Sequence, residues 1–368
     1  MRRDTNLEAF FALVRGGLWE QNVQLAQYGT IDYEAILRLS EEQSVVGLVT
    51  AGLDHVTDTK VPQVWLLQFI GETMQLEQTN ANMNAFIADT IEKMRQADIY
   101  ALLVKGQGIA QCYERPLWRT SGDIDLFLSD TNYEKAKKFF MPLSTGQKEE
   151  RTYSKELGLD VDGWFVELHG TQRTGLSTRL DTVIDEVQRD IFYGGNVRSW
   201  ISGKTYVFLP DVNEDIFFVF THFIKHLYKE EGVCLRQVCD LCRLIWTYRD
   251  KVDSRLLESR FRRAGVMAEW IAFAALAVGW MGMPAEVMPL YSENGKWKRK
   301  AGKIMDAILD VKEPSRWRAV LSNMKIFPVN TICFLPGILF DVNWLKVKER
   351  FQSYVTHISR KNRGYTII

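Results

Sequence analysis

The sequence predicts an α+β fold: a small mixed sheet set between two helical regions. Three observations carry this. Apolar residues recur at helical spacing through residues 1–97 and again through 213–310. Between them, over 98–212, short apolar or alternating runs are cut by glycine, serine and aspartate, the pattern of strands joined by loops and short helices. The chain's 368 residues suffice for two or three such units, and for a core that needs no disulfide or metal to hold it.

Residues 5–20 and 31–53 read as helices, the second with Tyr33, Ile36, Leu37 and Leu39 at helical spacing. A long helix is expected from Pro62, a residue suited to a first helical turn. It carries Trp65, Leu66, Phe69 and Ile70, then Met83, Phe86, Ile87, Ile91 and Met94. The polar stretch 77–82 between those sets reads as a break or an exposed turn. Residues 99–104 form a buried-strand pattern ending at Lys105-Gly106, followed by a short helical run at 109–113. Residues 123–128 read as a second strand, and Ser129-Asp130 as the cap of a helix over 132–140. Residues 164–169 and 206–209 are further strand candidates. Asp211 and Glu214 have the spacing of a capping box, and helices are expected at 213–229, 234–250, 254–265 and 267–282. Residues 311–368 form a C-terminal extension whose pattern defines no clear element.

Lys plus Arg and Asp plus Glu number 46 each, so the net charge is zero, which argues against a long nucleic-acid partner. Five cysteines, an odd number, do not make a disulfide framework. Glu8 and Arg15 interrupt the apolar run a signal peptide would need. The longest apolar segment, 270–283, has 14 residues and stops at Pro284, whereas a spanning helix needs about 20. The expected address is cytoplasmic, with no membrane span.

The sharpest motif is Gly122-Asp123-Ile124-Asp125-Leu126. On a strand, residues i and i+2 share one face with Cα atoms roughly 7 Å apart, so Asp123 and Asp125 point together while Ile124 and Leu126 face a core. Two such carboxylates repel unless a cation lies between them; Mg²⁺ or Mn²⁺ accepts such hard oxygen ligands alongside substrate phosphates. Upstream, Lys105-Gly106-Gln107-Gly108 follows a strand. Glycines there allow backbone N–H groups to approach a phosphate, and Lys105 would neutralise it; the bland alternative is a solvated loop lysine. Glu167 sits in an apolar strand and needs a cation or an ion pair, for which Arg119 is available.

Other signals have plainer readings. Cys234, Cys239 and Cys242 imitate part of an iron–sulfur spacing, but with Val238, Leu241 and Ile245 they follow helical periodicity and read as small core residues. His222 and His226 lie four apart on one helix, without the glutamate of a zinc-protease motif. With Lys225, Arg236 and Asp240 they would close over a ligand from the far side; Arg236 and Asp240 would otherwise be an i, i+4 ion pair. His169 shares a strand face with Glu167 and would contact the site, or else is a satisfied core histidine.

Taken together, Lys105-Gly106, Arg119, Asp123-Ile124-Asp125 and a strand ending Glu167-Leu168-His169 resemble the nucleotidyltransferase superfamily with the DNA polymerase β-like core. Within it the chain is most similar to a bacterial group of uncharacterised nucleotidyltransferase-like proteins often associated with surface-polysaccharide genes. The resemblance spans about residues 20–250 and is most specific over 102–128. It implies a glycine loop holding a nucleoside triphosphate at Lys105-Gly106, and divalent metal at Asp123 and Asp125, with Glu167 as the third acid. The reaction implied is nucleotidyl transfer to an unidentified acceptor, small molecule or protein. The chain departs from the superfamily pattern in two places: the usual Gly-Ser pair is Gly106-Gln107, and the loop from Gly106 to Asp123 is longer. Two alternatives stand beside this expectation. One is an Asp-x-Asp glycosyltransferase using a nucleotide-sugar, disfavoured by the helical first 97 residues; the other is a nucleotide-binding module of the same fold that has lost turnover.

Overall fold

The computed structural model describes residues 5–229, 232–310 and 316–339. The chain opens with helices α1 (Thr5–Trp19), α2 (Tyr33–Glu42) and α3 (Val46–Asp54). The single helix expected over 31–53 is thus two, parted where Ser44 takes φ +56. Helices α1 and α3 cross at backbone contact. A Cβ on Gly17 would lie 1.9 Å from the Leu48 carbonyl oxygen, and one on Gly52 2.1 Å from that of Leu13. Next comes α4 (Gln63–Gln96), 34 residues long and unbroken. Its polar stretch is no break: Asn80 is fully buried and its Nδ2 donates to the carbonyls of Leu117 (2.7 Å) and Arg119 (2.8 Å).

The middle of the chain contributes β1 (Ala101–Val104), α5 (Gly106–Ala110), β2 (Asp123–Leu128), α6 (Asp130–Phe140), β3 (Ser144–Gln147), β4 (Glu156–Val161), β5 (Trp164–His169), α7 (Thr178–Gly194), β6 (Val197–Ser202) and β7 (Thr205–Pro210). The seven strands form one mixed sheet in the order β3-β4-β5-β2-β1-β7-β6. Strand β2 runs antiparallel to β1 and parallel to β5. Helix α5 starts at Gly106, three residues before the expected run, and is a single buried turn.

Alternation along the strands splits the interior in two. Leu103, Ile124, Leu126 and Val166 face a smaller core closed by Met83, Ile87 and Met94 of α4 and by Tyr133 and Phe140 of α6. Leu102, Val104 and Phe127 face the large helical core on the other side. Asp123, Asp125, Glu167 and His169 alternate with the small-core residues.

The remaining helices are α8 (Val212–Tyr228), α9 (Leu235–Thr247), α10 (Ser254–Ala264), α11 (Met267–Met281), α12 (Gly295–Leu309), α13 (Arg316–Ile326) and α14 (Pro328–Leu339). The first four match the expected helices, but the capping box does not form. Asp211 makes no side-chain cap bond, and Glu214 is buried against Arg260 at 2.8 Å. Cys239 and Cys242 are fully buried in the large core, as their helical spacing suggests. Residues 340–368 of the C-terminal extension lie outside the described residues. Among the described residues no helix is long and apolar enough to cross a membrane.

Candidate active site

Strand β1 ends at Val104, and the next residue, Lys105, has φ of +57 and ψ of −146, a region that residues other than glycine occupy at a cost of about 1–3 kcal/mol. Because β1 pairs antiparallel with β2, Val104 stands opposite Asp125. The bend at the next residue returns the Lys105 ammonium to Asp125, with Nζ 2.8 Å from Oδ1. Lys105 is therefore no solvated loop lysine; its side chain is 16% exposed and that of Asp125 2%.

On the other flank of β2, parallel pairing sets Asp125 beside Glu167 and Phe127 beside His169. His169 Nε2 lies 2.7 Å from Asp125 Oδ1 and 3.5 Å from Glu167 Oε2. Burial raises the pKa of Asp125, but the Lys105 charge and the His169 hydrogen bond outweigh it and hold the carboxyl well below its usual range. Burial likewise opposes charge on His169, and its bonds to Asp125 and Glu167 reverse this, raising its pKa. Asp123 behaves oppositely. The charge of Asp125, with burial, raises its pKa, and it has no hydrogen-bond or ion-pair partner among the described residues.

Ligand atoms of Asp125, Glu167 and His169 lie within 4.8 Å of one another, a group able to hold a metal ion. The carboxylates suit Mg²⁺ or Mn²⁺, and the imidazole tilts the set towards Mn²⁺. The unpartnered, mutually repelled Asp123 beside this group also fits a cation. Asp123 itself lies outside the three-residue group but lines the same cleft.

Helices α8 and α9 close the far side. His222 and His226 face each other with Nε2 atoms 2.9 Å apart. Burial, then the neighbouring Lys105 charge, holds His222 well below the usual histidine range. Arg119 grips Asp240 with two bonds of 2.8 and 2.7 Å, and the Tyr113 hydroxyl donates to the same carboxylate at 2.7 Å. Two sequence pairings are corrected here: Asp240 pairs with Arg119 and not with Arg236, and Arg119 does not serve Glu167. Arg236 instead donates to the Thr120 carbonyl at 2.8 Å, and its buried Nε has no hydrogen-bond partner. Arg119 and Arg236 thus both hold the loop that delivers Asp123.

The cleft measures about 330 Å³, at the lower end of the range for small-molecule sites. Of the fourteen residues singled out in the sequence for the site, twelve line it; Gln107 and Gly108 do not. Gln107 points into the fold, where its Nε2 donates to Asn80 Oδ1 at 2.7 Å. Gly108 lets α5 approach β7, since a Cβ there would lie 2.8 Å from Leu209 Cδ2. The sequence reading missed Lys148, Arg151 and Glu156, which reach the cleft from the β3–β4 edge. Lys225 of α8 lies 3.5 Å from Glu156 across it. The available signal was Asp162-Gly163, a dipeptide with φ of +50 and +81 that joins β4 to β5 as a tight hairpin.

Acidic side chains in register on adjacent strands, beside the Lys-Gly turn that follows β1, support a nucleotidyl-transfer type of fold together with the family match. The chain belongs to the family described as uncharacterised nucleotidyltransferase, whose family model matches residues 29–282. No curated protein and no solved structure matches the chain.

Proposed function

We propose that the cleft transfers a nucleotidyl group from a nucleoside triphosphate to a small-molecule or protein acceptor in the cytoplasm, assisted by Mg²⁺ or Mn²⁺. The observation that carries this is the register of Asp125 against Glu167, with Asp123 two residues away on the same strand face. Asp123, Asp125 and Glu167 would hold the metal, with His169 beside them. A divalent ion bound there supplies charge neutralisation at the phosphates and lowers the pKa of an attacking hydroxyl. Lys105 would exchange its partner Asp125 for a phosphate oxygen, and Gly106 would let the triphosphate approach the backbone. His169 would keep the Asp125 carboxylate oriented. His226 and Arg236 would meet the acceptor or the leaving pyrophosphate from the helical side, while Arg119 and Asp240 fix the loop before Asp123.

A second reading, a nucleotide-binding module without turnover, is favoured by one feature. At the position where the superfamily carries a phosphate-contacting hydroxyl, Gln107 is buried and bonded to Asn80. One experiment separates the two. Melting is followed with nucleoside triphosphates and nucleotide-sugars, each with Mg²⁺, Mn²⁺ or chelator, while pyrophosphate release is assayed in parallel. A triphosphate at 100 times its dissociation constant should add about 2.7 kcal/mol of stability. Metal-dependent stabilisation with pyrophosphate release supports transfer, and stabilisation alone supports the binding module. A response to nucleotide-sugars only would overturn both.

A further inference from the structure

Charge is unevenly divided along a chain that is neutral overall. Residues 295–368 contain 15 Lys or Arg and 5 Asp or Glu, a net of +10; because the whole chain balances 46 against 46, residues 1–294 carry −10. The basic portion also holds exposed apolar residues on helix faces. On α13, Trp317, Leu321 and Met324 are 63%, 62% and 36% exposed. Their spacing of four and three puts them on one face, while Val320, Asn323 and Ile326 are buried. On α14, Val329 and Ile332 are 71% and 57% exposed. The basic helix α12 lies against the end of α13, where Lys303 Nζ bonds the Lys325 carbonyl at 3.1 Å. Lys296, Lys298 and Arg299 of α12 are exposed as well.

We propose that α12–α14 form a surface that docks this protein peripherally on an anionic lipid bilayer. Such a bilayer rewards both features together. Its headgroups attract clustered lysine and arginine, and its interface accepts tryptophan and aliphatic side chains from helices lying in its plane. A nucleic acid would satisfy the charge but leave Leu321, Val329 and Ile332 in water. A second copy of the same face would bring like charges together.

The test is co-sedimentation of the full chain with vesicles of phosphatidylglycerol mixed with phosphatidylcholine, and of phosphatidylcholine alone. Two double variants accompany it: Trp317→Ser with Leu321→Ser, and Lys298→Glu with Arg299→Glu. Binding is expected to the anionic vesicles only and to weaken steeply from about 0.1 M to 1 M salt. The charge variant should bind at least about tenfold more weakly, and the serine variant should also lose binding while keeping its melting temperature. Failure to sediment, equal binding to neutral vesicles, or binding untouched by the serine pair would overturn the proposal. So would a serine variant that melts earlier, meaning the face is covered by the protein's own chain. A wild-type dimer dissolved by the serine pair, or duplex DNA bound more tightly than vesicles at equal salt, would also overturn it.

Discussion

The two aspartates of the motif have opposite surroundings, so neutralising them has opposite effects. Asp125 is locked between Lys105 and His169, and Asp125→Asn leaves a buried ammonium without its partner. Melting should show a loss of about 3–5 kcal/mol, with a similar loss for Lys105→Ala. Asp123 feels the repulsion of Asp125 and the cost of burial more than the attraction of Lys105 and Arg236. Its raised pKa means that the ionised form is disfavoured in the fold, so Asp123→Asn should match or exceed wild-type stability at pH 7, an advantage that vanishes below about pH 4. His169 adds a second pH signature. A histidine whose pKa is raised by folding stabilises fully below its unfolded value of about 6.5 and loses that contribution as pH rises through the folded value. The stability gap between wild type and His169→Gln should therefore be widest between about pH 4 and 6.5 and should narrow above. The acids themselves were legible in the sequence, because strand periodicity alone puts Asp123 and Asp125 on one face and Glu167 among apolar neighbours. The partner of Lys105 was not, since it depends on which residue of β2 stands opposite Val104.

Legibility among the elements follows burial only in part: β4 lies inside the sheet with Leu157, Leu159 and Val161 buried, yet the sequence reading passed over it. Strands β1, β2 and β5 lie inside the sheet and carry continuous or alternating apolar residues, and β7 beside them is still half apolar. The edge strand β3 is Ser-Thr-Gly-Gln, which no pattern distinguishes from a loop, and β6 at the other edge keeps only alternate residues covered. The polar stretch of α4 misled for a related reason: an asparagine inside a helix signals exposure unless another element meets it. Asn80→Ala tests that meeting directly. It removes the donors to Leu117 and Arg119 and the acceptor for Gln107, and unmet buried groups cost about 1–3 kcal/mol each. The variant should melt earlier and, because the same loop delivers Asp123, bind triphosphate more weakly; unchanged binding would mean that the loop is held by the Arg119–Asp240 pair alone. At the α1–α3 crossing, Gly17→Ala or Gly52→Ala forces a methyl into a carbonyl oxygen. Either should cost about 3 kcal/mol or more, measurable by denaturant titration, without altering cleft chemistry except through global unfolding.

At the scale of the whole molecule, the sheet is a wall shared by two interiors, and the cleft lies on the side of that wall that faces α8 and α9. Carboxylates and His169 come from strands at the centre of the wall; His222, His226, Arg236 and Asp240 come from helices laid against it. The family match over residues 29–282 spans both groups. The layered order, helices then sheet then helices, was readable from the shift in periodicity near residues 98 and 211. Which faces met was not, because helical spacing gives a stripe and not its partner.

That wall has a consequence for amide exchange. Strands β2 and β5 are hydrogen-bonded on both edges, packed on the smaller core on one face and open to the cleft on part of the other, so most of their amides exchange only through large openings of the fold. The carboxylates of the candidate site are therefore carried on the slowest-exchanging backbone of the molecule, whereas α13 and α14 have one face in solvent and can release their protons through smaller openings. Deuterium uptake should rank β2 and β5 slowest and α13–α14 faster, with α8 and α9 between them. Uptake in β2 as fast as in α13 would mean that the acids stand on a local, not a global, unit of stability.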